Sequence, residues 1–250
     1  MSDDKEKREK RLETIRALLA QAESTNFPEE AETFTEKANA LMTAYAIEES
    51  ELWMTDRTAL GELVTAEMLI QKPHADIKAA GLSWLAKTQH CFVVRNHRMY
   101  VPPGGSRYNP VGLKVFITGF ERDIERLQML FTSLLVQCDR AMFHAPQGHN
   151  EVTEFRRGFI TGFFSECTNR LELSTKVAEK KADEETDGRF LPALIDKDEM
   201  VEQAVAAKFG ELRSVGSNSV NASGWNHGKG AGANADIGNA RVGNRKELPQ

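Results

Sequence analysis

Two stretches near the middle of this 250-residue chain repeat large apolar residues every three or four positions, and they constrain the fold more than any other feature. Residues at that spacing share one face of an α-helix, so each stretch predicts a long helix with an apolar face. Both faces must be buried against other elements. The first face comprises Ile124, Leu127, Phe131, Leu134 and Cys138. The second comprises Phe155, Phe159, Phe163, Cys167 and Leu171, in a helix that begins near Glu151.

Short runs of aromatic and β-branched residues precede these helices and are typical of strands. Residues 91–94 and 99–101 predict a β-hairpin, and residues 113–117 predict a third strand. Thr118 and Glu121 have the spacing of a capping box, which opens a helix. Strands followed by helices indicate an α+β fold, in which long helices pack on a small antiparallel sheet.

The remaining segments give weaker patterns. Residues 58–86 predict one or two short helices, residues 191–195 a short strand, and residues 200–209 a helix. From residue 216 the composition changes to Gly, Ser, Asn and Ala, so we expect a glycine-rich C-terminal segment that packs on the body or stays mobile.

The first fifty residues carry two further apolar seams at helical spacing. Residues that favour caps and turns interrupt them at Ser24–Asn26, which predicts an N-terminal helical hairpin. A hairpin of this size cannot bury both seams by itself, so it must dock on the rest of the protein. The first seam comprises Leu12, Ile15, Leu19 and Ala22, and the second Ala31, Phe34, Ala38, Leu41 and Tyr45.

This N-terminal segment resembles a known family. Residues 9–50, and above all the run Ala22–Ala31, are similar to the DUF2786 family, a bacterial and phage module without an established activity. Residues 155–171 and 228–236 resemble, more loosely, the uncharacterised domain that often follows this module. The resemblance implies a bacterial or phage origin and supplies no catalytic residues. The predicted division is a hairpin at residues 1–52, an α+β domain at residues 53–215 and the glycine-rich segment at residues 216–250.

The apolar content and the cysteines indicate a compartment. No run of about 18 apolar residues is present, so no membrane-spanning segment is predicted. The charged N-terminus does not resemble a secretory signal. Three widely spaced cysteines are typical of a reducing compartment, so we expect a cytoplasmic protein of a bacterium or a phage-infected cell.

The charge distribution gives the most specific functional signal. Residues 77–120 hold six basic residues and no Asp or Glu, although the whole chain has a net charge of −5. Aromatic residues alternate with these cations, and such a surface can neutralise phosphates while its rings stack on bases. In the alternative interpretation the aromatic residues belong to the core and the cations simply face water. The predicted nucleic-acid-binding residues are Lys87, Arg95, Arg98, Tyr100, Arg107, Tyr108 and Lys114.

The acidic residues predict a different partner for the N-terminal region. Residues 27–67 hold ten acidic and two basic residues. A surface with this charge repels DNA or RNA, so we expect the hairpin to contact a protein instead.

The glycine-rich run at residues 228–233 permits two interpretations. It fails as a dinucleotide-binding loop, because only 17 residues follow it, and it fails as a phosphate-binding P-loop on spacing. A nest of backbone N–H groups could still hold a phosphate through His227, Gly228, Lys229 and Gly230. The alternative is that the glycines allow close packing or disorder.

No motif for metal binding or nucleophilic catalysis is present, so we expect no metal, no cofactor and no catalytic residue. The sequence therefore predicts a non-enzymatic nucleic-acid-associated or regulatory protein, with DNA or RNA as its partner. Two alternatives remain open at this point. One is a protein–protein interaction or assembly protein, and the other is an enzyme that acts on a phosphorylated substrate at the glycine-rich segment.

Overall fold

A computed structural model describes most of the chain. The described residues are 2–25, 27, 30, 33, 34, 37, 38, 41, 61–104, 110–145, 152–185, 187, 188, 190–213 and 220–237. Within them the chain is an α+β protein, as predicted. Its elements, in chain order, are α1 (Ser2–Ser24), β1 (Leu63–Gln71), α2 (Ala75–Lys87), β2 (Phe92–Tyr100), β3 (Gly112–Phe120), α3 (Glu121–Phe143), α4 (Val152–Glu185), α5 (Phe190–Phe209) and α6 (Ala222–Asn234).

The three strands form an antiparallel sheet in the order β1-β3-β2. Strand β3 is central: Leu63 of β1 lies opposite Phe120, and Tyr100 of β2 lies opposite Gly112. The pairing of β2 is irregular between Arg95 and Met99, where its register shifts. Residues 92–100 form one strand rather than two, so the predicted hairpin at residues 91–101 is wrong. Four residues of β2 there span two of β3, and such a shift of register bends a strand without ending it.

The two faces of the sheet are covered by different helices. Leu113, Val115 and Ile117 alternate along β3 and join the main core, which also contains buried residues of α2, α3 and α4. Residues between them face the other side, because successive side chains of a strand point in opposite directions. There Phe120 packs with Leu194 and Val201 of α5. The sheet is therefore held between α5 and the layer of α2, α3 and α4.

The predicted apolar faces of α3 and α4 are confirmed, since all ten of their residues are buried. Both helices contribute phenylalanines to the centre of the core. The rings of Phe131 and Phe164, one from each helix, lie with their centroids 5.6 Å apart. Local apolar spacing was therefore sufficient to identify the two longest core helices.

Two helices approach each other through glycine. A Cβ atom on Gly162 of α4, or on Gly224 or Gly228 of α6, would lie closer than 3.0 Å to a backbone oxygen of the facing helix. The two backbones therefore touch, and side chains larger than hydrogen do not fit at these points. Of the two interpretations of the glycine-rich segment, the structure describes close packing for residues 222–234.

The N-terminal region docks on α3. Ile15 and Leu19 from the first predicted seam and Ala38 from the second form a small core with Met129. Arg140 donates a hydrogen bond to the carbonyl oxygen of Ala22. Residues 42–60 and several positions of the second seam, Ala31 and Tyr45 among them, lie outside the described residues. The division into three domains stays a prediction.

Three further local predictions are wrong. Residues 63–71 form strand β1 rather than a helix, and only residues 75–87 of that region are helical. Residues 191–195 lie in α5 rather than in a strand; Leu194 and Val201, seven residues apart, share one helical face toward the sheet. A short apolar run does not distinguish strand from helix, so its tertiary partner decides.

The predicted capping box is the third error. Thr118 lies inside β3, where its hydroxyl oxygen is 3.0 Å from the hydroxyl oxygen of Thr65 on the neighbouring strand. Residue 120 is the N-cap of α3, and no side chain caps it. Instead, the backbone N–H of Glu121 donates to the carbonyl oxygen of Glu62, which satisfies one group at the helix start.

Candidate functional site

One end of the sheet presents an aromatic ring, a cation and exposed apolar side chains together. We call it the sheet end; it is where β1 and β2 finish and β3 begins. Lys114 lies with its Nζ 4.3 Å from the ring centroid of Tyr100. Leu69, Met99 and Val111, between 36 and 39% exposed, lie at the same end of the sheet, although Met99 pairs with core-facing Leu113 and so belongs to the other face from Tyr100. The sheet end therefore comprises Leu69, Met99, Tyr100, Val111 and Lys114.

Strand register and a glycine set the position of Tyr100. Its cross-strand partner is Gly112, so no side chain stands opposite the ring. A Cβ atom at Gly112 would clash with the carbonyl oxygen of Ile70, which explains why this position is glycine. The N–H of Val111 donates to the carbonyl oxygen of Tyr100 at 2.9 Å and closes the end of the ladder.

One acidic side chain contacts the sheet end, although residues 77–120 contain no Asp or Glu. Glu67 of β1 forms an ion pair with Lys114. The hydrogen bond to Glu67 raises the pKa of Lys114, so its ammonium group stays charged at neutral pH. Sequence reasoning missed this pair, because Glu67 lies some fifty residues earlier and meets Lys114 through the pairing of β1 with β3.

The predicted nucleic-acid-binding residues do not form a single surface. Arg95 pairs across the ladder with Val115, a core-facing residue, whereas Tyr100 pairs with Gly112, so Arg95 and Tyr100 belong to opposite faces. Arg98 is exposed near the irregularity in β2, and Lys87 is exposed in the last turn of α2, before β2 begins. Tyr100 and Lys114 are thus the predicted pair that the structure brings together. Arg107 and Tyr108 lie outside the described residues.

A second group of cations stands where α2 and α4 begin, and sequence reasoning missed it as a group. We call it the helix-end cluster: Lys72, His74, Lys78, Arg156 and Arg157. Arg157 donates two hydrogen bonds to the carboxylate of Asp76, at 2.8 and 3.1 Å, and so ties the first turns of α4 to the start of α2. Burial lowers the pKa of His74, and the charges of Arg157, Lys78 and Arg156 lower it further.

Asp76 is held as an anion within this cluster. Burial alone would raise the pKa of Asp76, but the hydrogen bonds and charge of Arg157, with the N–H of Ile77, outweigh it and lower that pKa. The sequence signals for the cluster were the Arg156-Arg157 doublet and Lys72. Arg156 and Arg157 are far from Lys78 in the sequence, and only the packing of α4 beside α2 brings them close.

The opposite end of α2 contains a buried network of charges. Asp123 is 0% exposed, and its two oxygens lie 2.8 Å from Nη2 of Arg126 and 2.6 Å from Nζ of Lys197. Nε of Arg126 donates to Oε1 of Gln89 at 2.7 Å. We define these four residues as the buried network. It joins the turn after α2, the start of α3 and the middle of α5.

The predicted phosphate-binding residues lie inside helix α6. Past the first turn of a helix, backbone N–H groups donate to carbonyl oxygens four residues earlier, so they serve the helix itself. Nδ1 of His227 lies 2.9 Å from the carbonyl oxygen of Ser223, and Lys229 lies 3.7 Å from Glu166. Gly228 faces α4, whereas Gly230 has open space around it. Phosphate binding there stays a prediction.

The cysteines are placed for packing. All three are buried free thiols. Burial raises the pKa of Cys91 and Cys138, and raises that of Cys167 to about 12, so these thiols stay protonated at neutral pH. Within the described part of the chain, no three His, Cys, Asp or Glu residues stand close enough to hold a metal ion. No helix in that part is long and apolar enough to cross a membrane.

The fold and these surfaces define an α+β protein that gathers cations at one end of a three-stranded sheet. Residues 10–49 match the family described as "Protein of unknown function (DUF2786)", which confirms the resemblance of the N-terminal segment. Comparisons with curated proteins and with solved structures found no match.

Proposed function

We propose that this chain is a non-enzymatic nucleic-acid-associated or regulatory protein of a bacterium or phage that acts in the cytoplasm. The sheet end would contact the nucleic acid. The observation that carries this proposal is the ring of Tyr100 beside the ammonium group of Lys114 on a partly exposed surface. An aromatic ring can stack on a base while an adjacent cation neutralises the phosphate next to it.

The neighbouring residues support the same interpretation. Exposed Arg98 lies on the strand that carries Tyr100, and Arg107 belongs to the segment between β2 and β3. The exposed side chains of Leu69 and Val111 provide apolar area against which a base or a sugar can pack. The ion pair of Lys114 with Glu67 is weak at such a surface, so a phosphate can replace the carboxylate.

Salt dependence of binding tests the proposal. Fluorescence anisotropy with single- and double-stranded DNA and RNA should show affinity that falls steeply between about 50 and about 200 mM salt. The triple change Arg98→Ala, Arg107→Ala and Lys114→Ala should flatten the salt slope by up to about three units. The matched control removes three exposed cations elsewhere, Arg16, Lys176 and Lys180, and should leave the slope unchanged.

A single charge change sharpens the test. Glu67→Gln removes the competing carboxylate without changing side-chain size, so it should raise the affinity for nucleic acid. Tyr100→Ala should weaken single-strand binding by about 1–3 kcal/mol if the ring stacks on a base. Folded wild-type protein that binds no oligonucleotide at about 50 mM salt would overturn the proposal.

A protein-interaction function is the second candidate, and the exposed apolar residues of the sheet end favour it. Leu69, Met99 and Val111 could equally pack against a protein surface. The acidic segment 27–67 suits a basic protein partner. This function would be preferred if the nucleic-acid test fails and Leu69→Ser with Val111→Ser abolishes association measured by sedimentation.

A further inference from the structure

The backbone passes directly from the sheet end to the helix-end cluster. The N–H of Lys72 donates at 3.2 Å to the carbonyl oxygen of Val111, and the N–H of Val111 donates to the carbonyl oxygen of Tyr100. Lys72 follows the last residue of β1, and α2 begins at Ala75. The two groups of cations are therefore neighbours on one end of the protein.

The start of α4 belongs to the same end. Its Arg157 is bonded to Asp76 in the first turn of α2 through two nitrogens, a geometry that fixes both distance and orientation. Arg156 precedes Arg157, and the charges of both act on His74. Helices α2 and α4 thus present their basic residues side by side.

The cluster carries an excess of positive charge. The charges of Lys78, Arg156 and Arg157 act on His74 together with the carboxylate of Asp76, and Glu154 acts on Arg157. Lys72 lies two residues before His74 in the chain. These cations are exposed or half-buried and are spread over a loop and two helices. A group of cations spread over three segments suits successive phosphates of a strand better than one phosphate ion.

We propose that the nucleic-acid surface of the sheet end continues across the helix-end cluster, so that the preferred ligand is a strand long enough to contact both. This inference rests on the proposed function and extends it to a class of ligand. Base contacts would occur at Tyr100, and the helix-end cluster would contact only phosphates. Such contacts strengthen binding without reading sequence.

Two oligonucleotide lengths test the extension. Single strands of about 6 and about 24 nucleotides bracket the usual site size of one binding surface. The cluster variant combines Lys72→Gln, Lys78→Gln and Arg156→Gln, and the matched control combines Arg16→Gln, Lys176→Gln and Lys180→Gln. The cluster variant should lose at least about tenfold in affinity for the long strand, with a salt slope lower by up to about three units. Its affinity for the short strand should stay within about twofold of wild type.

The outcomes separate the two proposals. Wild-type protein that binds neither strand would overturn the proposed function and this extension together. If wild type binds and the cluster variant binds the long strand with the same affinity, the extension alone is overturned. The extension is also overturned if the cluster variant loses the same affinity for the short strand as for the long one. Arg156 is half-buried, so the double variant Lys72→Gln with Lys78→Gln keeps the test valid if the triple variant unfolds; it should lower the long-strand slope by up to about two units.

Discussion

Two histidines flank helix α2, and their surroundings have opposite charge. His74 precedes the helix with φ of 58°, and His90 follows it with φ of 54°, so both occupy the left-handed region. His74 lies among the cations of the helix-end cluster. Nδ1 of His90 lies 2.8 Å from Asp198, and its Nε2 lies 3.8 Å from Glu179. One helix therefore connects a basic end and a carboxylate-rich end.

Burial separates the roles of similar residues at these two ends. Arg126 and Lys197 of the buried network are 9% and 3% exposed, and both pair with Asp123. Removing a partner there would leave a buried charge without compensation. Arg157 and Lys114 pair with acids that are about half exposed, so solvent screens those pairs. The cations of the buried network therefore hold elements together, whereas the ion pairs of Arg157 and Lys114 are open to solvent.

The largest effect is expected at the buried network. Asp123→Ala should lower the free energy of unfolding by about 3–5 kcal/mol, because two buried cations lose their counter-ion. Urea denaturation followed by circular dichroism measures this. Asp139→Ala, at an exposed position of the same helix, is the control and should change stability by no more than about 0.5 kcal/mol. Similar values for the two variants would contradict the distinction between the two ends.

Removal of one cation from the network should have a smaller effect. Lys197→Met keeps the stem packed on the sheet and leaves Asp123 its contact with Arg126, so we expect a loss of about 2 kcal/mol. The control is Lys208→Met on the same helix, where the lysine is exposed. A Lys197→Met variant as stable as wild type would show that the ion pair of Lys197 with Asp123 does not stabilise the packing of α5.

At the basic end, Asp76→Asn should lower stability by at most about 1 kcal/mol, since the pair with Arg157 is partly exposed. The pKa of Asp76 is lowered in the folded protein, so its stabilising effect is present above its unfolded pKa and is lost as pH falls through the folded value. The difference between wild type and variant should therefore vanish in acid. Chemical denaturation between about pH 7 and about pH 2.5 checks this, and a constant difference would refute it.

The smallest effect concerns the two histidines. The pKa of His74 is lowered, so below its ordinary value of 6.5 the unfolded chain binds a proton more readily than the folded protein. Wild type should thus lose stability relative to His74→Asn as pH falls through 6.5, because asparagine tolerates positive φ and does not titrate. Thermal melts across this range measure the difference. His90→Asn is the control for the backbone conformation, and it removes the contact with Asp198 instead.

Some of the fold and part of the site could be predicted from the sequence. The apolar faces of α3 and α4 were identified correctly, because their spacing is a local property of a long helix. Tyr100 and Lys114 were named as candidates, because a stretch without acids is visible in the sequence itself. Strand β1 was missed, because residues 63–71 lack a periodicity that separates strand from helix and become a strand through pairing with β3.

The amino-acid sequence by itself determined the α+β class, the two long core helices and the family of the N-terminal segment. Only the tertiary structure decided which charges meet. Glu67 pairs with Lys114 between two strands, Arg157 with Asp76 between α4 and α2, and Lys197 with Asp123 between α5 and α3. Each pair joins residues far apart in the chain. Helical spacing depends on neighbours three and four residues away, whereas an ion pair depends on how whole elements pack, and no local pattern encodes that packing.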